Sequence, residues 1–139
     1  KTIIMKKYLV VCIISIGLLA CEKDAGEGGT SLIDGHVIFF TTVYNTQTSS
    51  NDTHYYPKAG KDVYIIYSND ESSIYDDKFE TDFEGRYHFE YLRKGEYTIY
   101  TYVDSIAVNN VYYDYPVFKH IKIEENNSVN TLTDFLIEN

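Results

Sequence analysis

The chain has 139 residues, room for one domain once any leader is removed. Three of its 12 basic residues (Lys1, Lys6, Lys7) lie in the first 20 positions, where there is no acidic residue. Residues 21–139 therefore carry nine basic against 21 acidic groups, a net charge of −12. So negative a surface repels phosphate backbones and excludes nucleic acid as an expected partner. A hydrophobic content of 44% argues against disorder, and 15 Tyr and 7 Phe without Trp suit half-buried pleated sheets.

The first predicted element is a helical signal peptide over residues 1–20. Met5 reads as the start, followed by Lys6-Lys7, an apolar run over 8–19, and Ala20. That is the basic, apolar and small-residue order of a secretory leader. The run is shorter than the about 20 residues a membrane span needs. Leu18-Leu19-Ala20-Cys21 resembles the lipobox of bacterial lipoproteins. The resemblance implies cleavage after Ala20 and a diacylglycerol thioether on Cys21. The other reading is a plain signal peptide followed by an unmodified cysteine. Cys12 leaves with the leader, so the mature chain keeps one thiol and forms no internal disulfide.

Residues 21–31 predict a flexible linker, Gly-rich and polar after the lipidated Cys21. Its acidic start, Glu22-Lys23-Asp24, resembles export tags that send some lipoproteins to the outer face of the outer membrane. A plain solvated linker is the alternative. The expected location is the cell envelope, with the protein lipid-anchored in the outer membrane and its surface exposure left open.

Residues 32–139 predict one all-β domain. Short β-branched and aromatic runs at 33–44, 62–68, 78–82, 86–92, 96–103, 117–124 and 129–137 alternate with turn residues. Tyr87, Phe89 and Tyr91 oppose Arg86, His88 and Glu90, the period of two of a half-buried strand. Phe79 and Thr81 likewise oppose Lys78, Glu80 and Asp82, while Gly85 and Gly95 supply hairpin bends. The predicted fold is an antiparallel Greek-key β-sandwich of about seven strands.

Thr81-Asp82-x-x-Gly85-x-Tyr87-x-Phe89-x-x-Leu92-x-x-Gly95-x-Tyr97-x-Ile99 resembles the signature of carboxypeptidase regulatory-like domains, in the transthyretin-like (prealbumin-like) sandwich group. Ile33-x-Gly35-x-Val37 is similar to that family's opening strand and residues 59–65 to its second. The resemblance implies that Tyr87, Phe89, Tyr97 and Ile99 enter the core and Leu92 plugs its end. It specifies a fold and not an activity. Asp82 and Glu84 are accordingly read as turn residues.

No catalytic centre is expected, and no cofactor. His36, His54, His88 and His120 lack metal-site spacing, and no nucleophile elbow, P-loop or dinucleotide fingerprint is present. Hydroxyisourate hydrolases share the transthyretin-like fold but end in Tyr-Arg-Gly-Ser, whereas this chain ends Leu136-Ile137-Glu138-Asn139. Asn69-Asp70-Glu71 and Asp76-Asp77 crowd oxygen ligands as calcium would want, without EF-hand spacing; calcium stays open.

Two long connections, 45–61 and 104–116, are predicted to share the pole away from the lipid. They hold Tyr55, Tyr56, Tyr112, Tyr113 and Tyr115, with Asp52, Asn109, Asn110 and Asp114 among them. Tyr with Asn and Asp suits stacking on a sugar and bonding its hydroxyls, or meeting a protein partner. The plainer reading is that these rings cover the ends of the core. A second set, Tyr64, Tyr100 and Tyr102, is expected as cross-strand pairs or as a surface for another domain. The function expected is a lipid-anchored accessory or binding module for glycan or an envelope protein. A structural component of an envelope complex is the alternative, and a small-molecule carrier or enzyme comes third.

Overall fold

The computed structural model describes residues 24–108 and 111–138, with the side chains of 104–112 outside the description. The leader, Ala20 and Cys21 thus lie outside the described residues. Those described form nine strands and no helix: β1 Glu27–Asn45, β2 Ser50–Pro57, β3 Asp62–Ile66, β4 Asp77–Glu80, β5 Arg86–Leu92, β6 Gly95–Val108, β7 Val111–Ile123, β8 Val129–Thr131 and β9 Phe135–Glu138.

Two sheets build a sandwich, so the all-β class predicted from the sequence is the one observed. One sheet is centred on β1, and the other runs β4-β3-β6-β7 with every neighbour antiparallel. Along one side of β1, β5 pairs the lower half and β2 the upper half, both antiparallel. The hand-over is at Val37, whose N–H donates to the Gly85 carbonyl (2.8 Å) and whose carbonyl accepts from Lys58 N–H (3.0 Å). The chain then crosses to the other sheet and continues as β3. Thr81 pins that crossing: its hydroxyl donates to the Lys58 carbonyl (2.7 Å) and accepts from Lys61 N–H (2.9 Å).

The core is where alternation places it. Ile33, Val37 and Phe39 on β1 face Val63 and Ile65 on β3 and Tyr97 and Ile99 on β6, with Tyr87, Phe89 and Leu92 closing the interior. Tyr91 departs from the expected pattern and is 70% exposed. Its φ of +58° flips the parity of β5 by one residue, which turns Tyr91 outward and drops Leu92 into the core.

Four segments depart from the predicted elements: the two long loops, the last strand and, as the third kind of departure, the linker. Residues 46–49 are a short hairpin turn, and the expected long loops are mostly strand, β2 and the outer parts of β6 and β7. In the first hairpin Asn45 Oδ1 accepts from Gln47 N–H (3.0 Å), and Asn45 Nδ2 donates to Asp52 (2.9 Å). The last predicted strand is two strands, β8 and β9, both parallel to β1. The third departure is the linker: β1 begins at Glu27.

Candidate functional site

β1 starts beside Leu92, and β6 starts three residues after Leu92. Both strands run away from that end, and their hairpin tips lie at the opposite pole. The predicted tyrosines are therefore distal to Asp24, where the described chain begins. β1 spans 19 residues, about 60 Å at about 3.3 Å per residue, so the β1–β2 arm extends beyond the two-sheet core.

On that arm Tyr55 lies against Phe40 (5.9 Å between centroids) and Tyr56 against Phe39 (6.1 Å). Tyr44 and Tyr55 are 60% and 63% exposed. On the other arm Tyr113 pairs with Ile106 and Tyr115 with Val103 across the β6–β7 ladder, with Asp114 exposed between them. The side chain of Tyr112 lies outside the described residues; its backbone pairs with Ala107. No ring contact joins the two arms among the described residues. Tyr55 and Tyr56 thus sit on one ribbon, beside the middle of β1, and Tyr113 and Tyr115 on another.

A second aromatic surface covers the outer face of the β4-β3-β6-β7 sheet. Tyr64 on β3 and Tyr100 on β6 are register partners and stack at 4.9 Å and 16°. Tyr102 stands edge-on to both, at 5.8 and 5.7 Å. Tyr75, from the loop after β3, packs on Tyr64 at 4.9 Å, and Phe118 on β7 packs on Tyr100 at 5.1 Å. The expected cross-strand pairs are present, extended by two rings. Phe118 could have been found from the alternation of β7. Tyr75 could not, because its place depends on a loop folding back across the sheet.

The platform is bordered by charge. Asp62 accepts from Lys78 Nζ (3.1 Å) and from the Tyr64 hydroxyl (3.3 Å). Burial, reinforced by Tyr102 and Tyr64, pushes the Tyr100 hydroxyl up to about 12. Burial and then Asp62 raise that of Tyr64. Both hydroxyls stay protonated at neutral pH, and that of Tyr64 is already committed to Asp62.

The acidic loop is organised as turns. The Asp70 carboxylate accepts from Ser72 N–H (3.0 Å), Ser72 Oγ (2.6 Å) and Ser73 Oγ (3.1 Å), bonds that hold its pKa below the ordinary value. Asp76 accepts from Tyr67 N–H at 2.7 Å. Asp82 accepts from Glu84 and Arg86 N–H at 2.9 Å each, the turn role expected for it. Among the described residues no three His, Cys, Asp or Glu side chains gather as a metal site. His120 bridges Glu71 (2.9 Å) and Thr98 (3.0 Å), and His36 lies 3.5 Å from Asp134, each on a strand face.

The domain so defined is a two-sheet β-sandwich carrying aromatic surfaces on its distal arms and on one sheet face. No family model matches the chain. No curated protein matches it either. Among solved structures it is similar to a chain from Pseudomonas aeruginosa described as a "putative carbohydrate binding protein". Identity is 12%, with 83% of this chain and 92% of that one covered, at a TM-score of 0.45.

Proposed function

We propose that the protein is a non-catalytic binding lipoprotein of the cell envelope, anchored in the outer membrane through Cys21, that takes a glycan or a protein partner through its distal tyrosines. The observation that carries this reading is the exposure of Tyr44, Tyr55, Tyr113 and Tyr115 on two arms at the pole opposite Asp24. Rings left in water add little to the core, whereas grouped aromatic rings in contact with solvent mark interaction surfaces. Tyrosine joins a stacking face to a hydrogen-bonding hydroxyl, as sugar and protein recognition both require. Tyr75 and Tyr102, the exposed rings of the platform around Tyr64 and Tyr100, offer a second surface of the same chemistry.

Kinship with carboxypeptidase regulatory-like domains belongs to the same proposal. It is supported by the burial of Tyr87, Phe89, Leu92, Tyr97 and Ile99 at the positions the resemblance implies. A structural role in an envelope assembly is the second reading. It is favoured by β2, whose eight residues are all exposed and which among the described residues pairs only with β1, leaving an edge suited to strand addition.

The binding reading is tested on a glycan array and by crosslinked pull-down from envelope extracts. The double variant Tyr55→Ala/Tyr113→Ala, checked for folding by circular dichroism, is expected to bind severalfold more weakly than the parent. Unchanged binding would remove the distal tyrosines from the proposal. The anchor is tested by mass spectrometry of the N-terminal peptide, which should carry a diacylglycerol thioether on Cys21; Cys21→Ser should move the protein to the soluble fraction.

A further inference from the structure

The segment that the sequence presents as a flexible linker is locked into the fold. Gly26 N–H donates to the buried Tyr97 hydroxyl (2.9 Å), which in turn donates to the Arg93 carbonyl (2.7 Å). Arg93 N–H returns a bond to the Gly26 carbonyl at 2.8 Å. The Arg93 guanidinium reaches back to the carbonyls of Asp24 (2.8 Å) and Glu27. One arginine and one tyrosine thus clamp the stretch 24–27 through Asp24, Gly26 and Glu27.

The glycines are what make the clamp possible. Gly26 and Gly28 have φ of +136° and +94°, backbone that other residues rarely adopt. Gly29 passes so close to the Leu92 carbonyl that a Cβ would collide with it. Ala25 packs against the core and fills the space over Gly95. Composition alone makes this stretch look like a spacer, but its glycines serve close approach.

Asp24, where the described chain begins, is thus already bonded to the fold, and Cys21 is only three residues ahead of it. Three residues reach at most about 11 Å, whereas a free linker from Cys21 to Ser31 would reach about 35 Å. Resting on the reading of Cys21 as the lipidated residue, we propose that the domain sits directly on the lipid headgroups by the pole formed around Arg93, Lys94 and Lys122. The tip of the β1–β2 arm then stands roughly 60 Å out and the end of the shorter β6–β7 arm roughly 45 Å, from strands of 19 and 14 residues. Contact is imposed by the short tether and not by charge, since Lys94 and Lys122 are interleaved with Glu96, Glu124 and Glu125. The clamp acts as an orienting device: it faces one pole to the membrane and the opposite one to the partner.

The test uses the acylated full-length protein in vesicles of phosphatidylethanolamine and phosphatidylglycerol bearing a headgroup acceptor dye. A donor dye is placed at Glu96→Cys, near the clamp, or at Thr48→Cys, at the distal tip. Strong energy transfer is expected from position 96 and almost none from 48. Inserting ten Gly/Ser residues between Lys23 and Asp24 leaves the clamp intact and should cut transfer from 96 severalfold. Arg93→Ala should lower it in the same direction. Equal transfer from both positions, or no effect of the insertion, overturns the seating on the membrane while the anchor stands. A Cys21 without acyl groups in the mass spectrum overturns both.

Discussion

Gly35 on β1 and Tyr87 on β5 are register partners, and the Tyr87 ring occupies the space in which a side chain at position 35 would stand. This relation explains the glycine of Ile33-x-Gly35-x-Val37 by packing and not by a turn. Both residues are buried. Gly35→Ala forces Tyr87 off its position and should destabilise the domain by about 1–3 kcal/mol, the usual range for overpacking. Urea unfolding of the two proteins checks it; an unchanged midpoint would show that the ring has room to move.

Tyr87 also leads to a second expectation. Its buried hydroxyl has no hydrogen-bond partner among the described residues, and neither has the buried Oδ1 of Asp34. Removing that oxygen with Tyr87→Phe should leave stability unchanged or raise it by about 1 kcal/mol, because an unsatisfied buried group is lost and no bond is broken. A clear loss of stability would mean that the hydroxyl is bonded through an ordered water.

Lys119 ties the two sheets at their edge. Its ammonium donates to the Thr133 carbonyl (2.8 Å), the Thr133 hydroxyl (2.7 Å) and the Asp134 carbonyl (2.9 Å), and lies 4.9 Å from the Phe135 ring centre. Burial lowers its pKa. Lys119→Met keeps the aliphatic packing but leaves those exposed acceptors to water, and should cost about 0.5–1.5 kcal/mol. The loss should also show as faster amide exchange in β8 and β9, which the connection at 132–134 positions; exchange confined to β7 would contradict this role.

The tyrosines predict the alkaline limit of the fold. Burial raises the hydroxyls of Tyr64, Tyr67, Tyr87, Tyr97 and Tyr100, the last to about 12. Above pH 10 the unfolded chain releases these protons first, so it binds fewer protons than the folded one and stability falls as pH rises. Their stabilising contribution is complete below about pH 10 and is lost through the folded values. Each group ionised only in the unfolded state adds a slope of about 1.4 kcal/mol per pH unit. Melting temperatures between pH 9 and 12 should drop steeply, with absorbance at 295 nm rising late and together with unfolding. Early, gradual ionisation of all 15 tyrosines at constant stability would refute it.

How much of this was legible in advance depended on range. From Gly85 to Ile99 the reading holds nearly residue by residue, because alternation and two glycine bends are local properties of a hairpin. Tyr91 escaped because one positive φ reverses parity, and composition carries no mark of it. Strand order dictates where connections fall, which is why the sequence could group the tyrosines of 45–61 and 104–116 at one end. Their presentation on ribbons was hidden, since Thr-rich and Asn-rich stretches look like loops until a facing strand supplies the ladder.

By itself the sequence determined the all-β class, the inward faces of the central strands and the turns that join them, since each depends on neighbours within a few residues. Tertiary structure alone decided that the glycines after Asp24 are clamped, that β8 and β9 run parallel to β1, and that Tyr75 and Phe118 complete the platform. Those features arise from groups up to about a hundred positions apart, such as Ser31 and Ser128, whose bond at 3.2 Å forms only once the chain has closed on itself. A one-dimensional pattern records which side chains can be buried; contact between distant backbones depends on the closed fold.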